Sequence, residues 1–263
     1  MKALSKGLLI IVLFFGLWIL LAQIDFVRIF QIENVKSKTE SSIGDLIWEQ
    51  IEATEDVVYD EDIVSKLDSL LAPLCKENFI ARDSLKVHII DKDEVNAFAM
   101  PDNHLVVYTG LILKCKNEQA LLGVLGHEIA HLQKNHVMKK LSKEIGFSVL
   151  MSMTGANATM IKEVLHTLSS SAYDRNLERE ADMESVKYML NASIDPRPFA
   201  DFMYELSLNN EIHKYTYWIS THPESEDRAK YILNYLKGKK IKNTTILSKE
   251  SWLEFKQKIK DSN

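Results

Sequence analysis

The segment His127-Glu128-Ile129-Ala130-His131 constrains this chain more than any other feature of its sequence. Two histidines four residues apart on a helix lie one turn above each other, so their rings can share one metal ion. Apolar residues recur at helical spacing on both sides of the segment and predict a buried helix over residues 117–140. The alternative is a chance match of this short motif on an ordinary amphipathic helix.

The residue between the two histidines supplies the chemistry. Zinc accepts neutral imidazole nitrogen, and catalytic zinc sites use about three protein ligands so that water can take the fourth position. The metal lowers the pKa of that water, and Glu128 can accept its proton during attack on a peptide carbonyl. We therefore expect His127 and His131 as metal ligands and Glu128 as the general base.

The third ligand must come from elsewhere in the chain. The metzincin pattern needs Gly at position 134 and His at position 137, where this chain has Lys134 and Val137. His136 misses the required place by one residue and is interpreted as a helix-face histidine or a hydrogen-bond partner of a ligand. The remaining candidates are acidic residues in the segment 178–182. Glu178 and Asp182 share one helix face, whereas Glu180 points about 200° away.

The N-terminal segment differs in kind from the rest of the chain. Lys2 and Lys6 precede residues 7–24, which carry no charge and are rich in Leu, Ile, Val and Phe. This pattern predicts an uncleaved signal anchor that spans a membrane, because the small-x-small spacing of a cleavage site is missing. A removed signal peptide is the alternative. The lysines predict a single-pass protein whose main domain is extracytoplasmic, in the periplasm.

Four segments follow from this interpretation. We predict a signal anchor over residues 1–24, a juxtamembrane linker over 25–42, a metallopeptidase domain over 43–238 and a tail over 239–263. Within them, the patterns predict three short strands around a turn at 101–103. Predicted helices cover 60–72, 172–190, 196–208 and 224–237, and a short tail helix begins near Ser251 with a capping box to Glu254. The uncharged stretch 145–161 fits a buried helical hairpin or, alternatively, a second membrane passage.

The composition of the chain bears on which macromolecules it can bind. The net charge is -5, the isoelectric point is about 5.9, and the lysines are scattered rather than clustered. A basic surface for nucleic acid is therefore not expected. Cys75 and Cys115 are the only cysteines in the sequence, and they either pair in an oxidising compartment or are two small core residues.

Beyond these local patterns, the sequence resembles the gluzincin metallopeptidases of the CAAX prenyl protease, HtpX and BepA type, over residues 57–236. The motifs that carry the resemblance are, in chain order, Asn96-Ala97-Phe98 with Pro101, Gly110-Leu111, Gly126 followed by the HExxH segment, Glu178 to Asp182, and His222-Pro223 with Arg228. One departure is visible, since Asp102-Asn103 stands where the family usually has a pair of glycines.

The resemblance implies an α+β, mainly helical zincin domain with a small sheet, preceded here by the predicted transmembrane helix. It implies one Zn²⁺ per chain, held by His127, His131 and Glu178, with Asp182 orienting a ligand histidine. The strand that contains Asn96, Ala97 and Phe98 is then the edge on which a peptide substrate lies as an added strand. His222 is implied to lie near the site, where it helps to stabilise the oxyanion or gates access.

Together these observations predict a zinc-dependent endopeptidase that acts on misfolded or membrane-associated proteins. A membrane-tethered holdase or assembly factor that binds chains without cutting them is the alternative from another class. A purely structural zinc domain is less favoured, because such sites prefer four closed ligands that include cysteine.

Overall fold

The computed structural model describes residues 32–146, 150, 158–208, 216–223 and 225–262. The three strands are β1 (Lys86–Ile90), β2 (Ala97–Met100) and β3 (His104–Tyr108). The helices, in chain order, are α1 (Ile32–Glu52), α2 (Glu61–Glu77), α3 (Thr109–Lys114), α4 (Glu118–Gln133), α5 (His136–Leu141), α6 (Ala158–Ser170), α7 (Arg175–Asn191), α8 (Arg197–Leu208), α9 (Thr216–Thr221), α10 (Ser225–Leu236) and α11 (Lys249–Asp261). The prediction of a mainly helical α+β domain is confirmed.

The three strands form one small sheet with the order β1-β3-β2. β1 runs parallel to the central strand β3, and β2 runs antiparallel to it, so β2 is an edge strand. Every residue of β2 and β3 is buried, because the sheet has a hydrophobic cluster on each side. One cluster holds Leu105 and Val107 with apolar residues of α2, α4, α7 and α8, and the other holds Phe98 and Val106 with residues of α1, α5 and α6.

Two glycines allow α4 to lie at the centre of the first cluster. A Cβ atom at Gly123 would lie 2.2 Å from Phe199 Cβ on α8, and one at Gly126 would lie 2.8 Å from Ser185 Oγ on α7. Both distances are shorter than atoms tolerate, so a larger residue would push a neighbouring helix away. The close approach of α7 places its side chains beside the HExxH segment of α4.

The helix predicted over residues 60–72 does not end before Pro73. The observed helix α2 continues through Pro73 to Glu77. A proline inside a helix costs about 3 kcal/mol. Leu74 and Cys75 are fully buried in the continued turn, and burying apolar side chains offsets a cost of that size. Asn78 closes the helix by donating its side-chain amide to the carbonyl of Leu74.

The single helix predicted over residues 117–140 is two helices. α4 ends at Gln133, and Asn135 has a positive φ of 60°, a conformation that asparagine tolerates better than most residues. α5 then begins at His136 in a new direction. The break brings the His136 ring against His131 of the HExxH segment. A continuous helix would have pointed His136 in a different direction.

The tail helix is also displaced from its predicted start. The hydroxyl of Ser248, not of Ser251, accepts a hydrogen bond from the first turn of α11. The Glu118 carboxylate fixes this position because it accepts the backbone N–H groups of Ile246 and Leu247 at 2.7 and 2.6 Å. The start of α11 is therefore determined by the contact between Glu118 on α4 and the loop before α11, which is distant from Glu118 in sequence.

Two expectations fall on residues outside those described. The predicted signal anchor at 7–24 is one of them, and most of the stretch 145–161 is the other. Among the helices that are described, none is long and apolar enough to cross a membrane. Residues 40–263 form one compact unit, and of the unit 1–39 only residues 32–39, the first part of α1, are described.

The two cysteines are free thiols in this structure. Cys75 and Cys115 are both fully buried among apolar neighbours. Burial raises the pKa of Cys75 to about 11 and raises that of Cys115 further. Both are protonated at neutral pH and behave as small hydrophobic side chains.

The tail helix provides a test of the core. Trp252 on α11 is buried, while its neighbour Leu253 is 56% exposed. We predict that Trp252→Ala lowers the free energy of unfolding by about 3–5 kcal/mol, since it removes a large side chain from a packed core. The control Leu253→Ala should change it by less than about 0.5 kcal/mol. Urea unfolding followed by circular dichroism measures both, and equal midpoints would contradict the packing of this helix.

Candidate metal centre

Four buried side chains from three parts of the chain converge on one point. They are His127 and His131 on α4, Glu178 on α7 and His222 just after α9, and each offers one ligand atom within 4.8 Å of the others. His131 Nε2 lies 2.9 Å from His127 Nε2 and 3.3 Å from Glu178 Oε1. His222 Nδ1 lies 2.9 Å from the same Glu178 oxygen. Four ligand atoms this close together could hold one metal ion.

Hydrogen bonds behind the two α4 histidines decide which nitrogen faces this space. His127 Nδ1 lies 2.9 Å from Asp182 Oδ1, an acceptor, so Nδ1 carries the proton and donates it. His127 Nε2 is then left with a lone pair that points at the other ligand atoms. A carboxylate behind a ligand histidine fixes its tautomer and raises its basicity.

His131 is held from two sides. Its Nδ1 lies 3.1 Å from His136 Nδ1, and the far side of the His136 ring meets Glu180 Oε2 at 3.3 Å. The Tyr173 ring stacks on the His131 ring with centroids 3.9 Å apart. Burial lowers the pKa of His131 to about 3, so the ring is neutral at pH 7. Burial also lowers the pKa of His127, although Glu178 and Asp182 oppose that shift.

These residues fit a zinc ion. Two neutral rings whose Nε2 atoms face each other at 2.9 Å, with a carboxylate oxygen beside them, form a donor set that a cation satisfies. Imidazole nitrogen with carboxylate oxygen is a ligand set that Zn²⁺ accepts in catalytic sites. The fit depends on His127, His131 and Glu178 together.

The Arg228 guanidinium lies behind the ligands. It contacts Asp182 Oδ1 at 2.6 Å through Nη2 and Glu178 Oε2 at 2.7 Å through Nη1. Burial disfavours charge on Asp182, but Arg228 and the His127 ring hold the pKa of that carboxyl well below its usual range. Burial likewise opposes ionisation of Glu178, and the His222 ring and Arg228 hold its pKa well below the usual value. Both acidic residues are therefore ionised in the protein interior.

Glu128 is different from the other buried carboxylates. Burial, followed by the nearby charge of Glu178, raises its pKa well above the usual value. Its Oε2 accepts a hydrogen bond from the backbone N–H of Ala99 on β2 at 3.1 Å, and its Oε1 lies 3.3 Å from His222 Nε2. Glu128 thus lies between the candidate ligand set and the edge strand of the sheet, and its affinity for a proton is raised.

Most of the site residues predicted from the sequence lie together in this centre, whereas Glu180, which helix geometry placed on the other face, does not. His127, Glu128, His131, Glu178, Asp182 and His222 all lie in one buried group, and β2 borders it. Glu180 faces away, with a side chain 46% exposed and paired with Lys134 and His136. Helix geometry had placed Glu178 and Glu180 on different faces, and the structure shows them so.

Several neighbours of the site are not indicated by the sequence, and Arg228 and Tyr173 are two of them. Arg228 was noted only as part of a motif, and Tyr173 was not selected at all. Tyr173 stacks on His131 and lies under the Lys140 ammonium, 4.2 Å from the ring centroid. Its only sequence signal was its position five residues before Glu178, at the start of the same helical segment. Neither spacing nor residue type alone indicates such contacts.

An HExxH helix, an acidic side chain from a second helix that could share a metal ion with it, and a sheet edge beside the glutamate together are typical of a metallopeptidase. The family model described as "Peptidase family M48" matches residues 62–236, which is more than half of the chain. The chain therefore belongs to peptidase family M48, and the resemblance derived from its motifs is confirmed.

Named relatives agree with this family. The chain is 29% identical over 163 residues to the mitochondrial metalloendopeptidase OMA1 of Bos taurus, and the matched region covers 56% of this chain and 31% of that protein. It is 27% identical over 165 residues to the OMA1 metalloendopeptidase of Schizosaccharomyces pombe, with 61% of this chain and 49% of that protein covered. It is 23% identical over 236 residues to the beta-barrel assembly-enhancing protease of Yersinia pestis, with 84% and 48% covered. The chain spans about half or less of the length of these relatives.

The role of Arg228 can be tested by removing its charge. We predict that Arg228→Met lowers the free energy of unfolding at pH 7 by about 3–5 kcal/mol, because two buried carboxylates lose their cation. The loss should shrink as the pH falls below 7, because burial raises the pKa of the freed carboxyls and they take up protons in the folded variant, whereas Arg228 keeps them ionised in the folded wild type. The control Arg179→Met removes an exposed arginine of α7 that lies over the Tyr231 ring. Urea unfolding of the metal-free proteins between pH 3 and 8 measures the effect, and an equal loss in both variants would contradict it.

Proposed function

We propose that this protein is a zinc-dependent endopeptidase in which Glu128 is the general base. The observation that carries the proposal is the hydrogen bond from Ala99 N–H on the edge strand to Glu128 Oε2. It places a buried carboxylate between the ligand set and the strand on which a substrate backbone can lie. A structural metal site has no use for such a carboxylate, because Glu128 is not one of the converging ligand residues.

The ligands in this proposal are His127, His131 and Glu178. Zinc held by these residues would lower the pKa of a water molecule and polarise the scissile carbonyl. Glu128 would accept a proton from the attacking water and later deliver it to the leaving amine. Burial and the nearby charge of Glu178 raise the pKa of Glu128, which makes its carboxylate a stronger proton acceptor. Asp182 keeps His127 in the tautomer that presents Nε2.

The proposed substrate is a peptide that lies along β2 as an added strand. Residues along an antiparallel pair alternate between bonding their partner strand and pointing outward. Tyr108 N–H donates to the Asn96 carbonyl, and Ala99 N–H points outward to Glu128. The outward backbone groups therefore belong to Ala97 and Ala99. Asn96 and Phe98 of the predicted substrate edge contribute side chains at its start.

His222 has two proposed roles that the geometry relates to each other. Burial lowers the pKa of His222 to about 4, so the ring is neutral at pH 7. Its Nε2 lies beside Glu128, where an N–H group could contact an oxyanion, and its Nδ1 lies 3.2 Å from His127 Nε2 among the ligand atoms. The second contact favours a gate, because His222 then holds the position that a water molecule needs. Entry of substrate would require this ring to move.

The setting of the enzyme is proposed from the sequence. Residues 7–24 would anchor the chain in a membrane with the peptidase domain on the periplasmic side. Substrates would then be misfolded or membrane-associated proteins. A holdase that binds such chains without cutting them remains the alternative function, and it predicts no dependence on Glu128.

The general-base assignment predicts that metal binding and hydrolysis can be separated. Glu128→Gln should retain one zinc per chain while kcat for casein falls by about 10²–10⁴-fold, since the amide cannot take up a proton. Zinc analysis and release of casein peptides, with and without a chelator, measure the two properties. The matched control Glu180→Gln, on an exposed side chain, should keep both. Undiminished turnover of the zinc-loaded Gln variant would refute the assignment, and no turnover in the wild type would favour the holdase.

The ligand assignment makes a separate prediction about zinc stoichiometry. Glu178→Ala should lose most of its zinc, because one of three protein ligands is removed. Asp182→Ala should bind zinc about 10- to 100-fold more weakly, since His127 loses the acceptor that orients it. Glu180→Ala should bind zinc as the wild type does. Titration against a competing chelator compares the three proteins, and zinc loss in the Glu180 variant alone would overturn the assignment.

A further inference from the structure

A second group of possible metal ligands lies where α1 meets the turn between β2 and β3. Asp45 on α1, Asp102 in the turn and His104 at the start of β3 offer ligand atoms within 4.8 Å of one another. We call these three residues the turn cluster. None of them belongs to the metal centre described above.

Close packing of α1 against the turn creates the cluster. A Cβ atom at Gly44 would lie 2.5 Å from the Pro101 carbonyl oxygen and 3.0 Å from Asp102 Cβ, so only glycine permits this approach. Asp45 follows directly in the chain. Asp102 and Asn103 both have positive φ, 61° and 60°, at the two positions where the sequence departs from the glycine pair of the family. This chain therefore places a carboxylate in a conformation that glycine adopts at lower cost.

His104 gives the cluster its unsatisfied ligand atom. The residue is 2% exposed, and its Nε2 has no hydrogen-bond partner among the described residues. That nitrogen faces Asp45 Oδ1 at 3.7 Å. Burial lowers the pKa of His104 to about 4, so the ring is neutral at pH 7 and has one nitrogen with a free lone pair. A buried polar atom without a partner costs about 1–3 kcal/mol, and a bound ion would remove that cost.

The surroundings of His104 match those of a ligand histidine. Its Nδ1 lies 3.0 Å from His88 Nε2, and Trp48 stacks on the His88 ring with centroids 3.5 Å apart. When Nδ1–H donates to His88, the lone pair of Nε2 points into the cluster. Metal-bound histidines commonly donate their second ring nitrogen to such a fixed partner.

Lys86 takes the place of a cation in this structure. Its ammonium lies 2.7 Å from Asp102 Oδ2 and 3.2 Å from Asp45 Oδ1. The Lys86 side chain is 41% exposed, so it can turn into solvent when another cation binds the carboxylates. The Lys86 ammonium does not satisfy His104, because His104 Nε2 has no hydrogen-bond partner among the described residues.

We propose that Asp45, Asp102 and His104 bind a divalent transition-metal ion, in competition with the Lys86 ammonium. One imidazole nitrogen and two carboxylates suit Zn²⁺ or Co²⁺, whereas Ca²⁺ needs six to eight oxygen ligands. The ion fastens α1 to the turn that follows the substrate edge β2. This site is independent of the proposed peptidase activity.

The experiment is a Co²⁺ titration of the 263-residue chain after one equivalent of Zn²⁺ has been bound at the proposed catalytic site. Zinc stays there because Co²⁺ binds the same ligands more weakly. The visible spectrum of Co²⁺ then reports the turn cluster, and we expect one further equivalent to bind. Asp45→Asn should weaken Co²⁺ binding by about 10- to 100-fold. The matched control Glu49→Gln removes a negative charge one helical turn further along α1 and should leave the affinity unchanged.

Lys86→Met distinguishes an ion site from a permanent ion-pair network. Removal of the competing ammonium should tighten Co²⁺ binding by about tenfold, since the two carboxylates lose their internal cation. An ion-pair network predicts instead that neither Lys86→Met nor the wild type binds Co²⁺. The proposal is overturned if the zinc-loaded wild type shows no Co²⁺ spectrum at millimolar Co²⁺. It is also overturned if Asp45→Asn and Glu49→Gln bind Co²⁺ equally.

Discussion

The Arg228 guanidinium is the charge on which the metal centre depends. Two carboxylates, Glu178 and Asp182, are ionised in the interior, where each loses several kcal/mol of solvation that a nearby cation must offset. Arg228 contacts both, and also donates to the His222 carbonyl at 3.1 Å. One side chain of α10 therefore links α7 to the loop that carries His222. Through Asp182 it also sets the tautomer of His127, so the ligand geometry of α4 follows from a residue about 100 positions later in the chain.

The sheet contributes to the site in another way. Its central strand is covered on both sides by hydrophobic clusters, which fixes the position of β2 relative to α4. The helix α4 then presents Glu128 to an edge whose backbone groups are already oriented. A small sheet of three strands is sufficient for this purpose, because only one edge and one antiparallel pair are needed.

The parts of this arrangement that were predictable from sequence are local ones. Spacing of four residues places His127 with His131, and Glu178 with Asp182, on single helix faces, and no distant contact can alter that relation. The strands and the turn at 101–103 follow from residue type for the same reason. Contacts between distant segments were not predictable. Pro73 lies inside a helix because of burial in the core, α11 begins at Ser248 because Glu118 binds the loop before it, and Tyr173 meets His131 only after α7 packs on α4.

If a peptide substrate binds as the proposed added strand, the hydrogen bond between Ala99 and Glu128 has a consequence for the order of events. An added strand takes its hydrogen bonds from the outward groups of β2, and Ala99 N–H is one of these. A peptide carbonyl that pairs with Ala99 must therefore displace the Glu128 carboxylate from that N–H. Glu128 Oε2 loses its hydrogen bond from the Ala99 N–H when the substrate backbone docks, and this oxygen then becomes available to a water molecule. In this proposed mode, substrate binding and release of the Glu128 carboxylate are one exchange of partners, and a molecule too short to reach Ala99 leaves the carboxylate held in place.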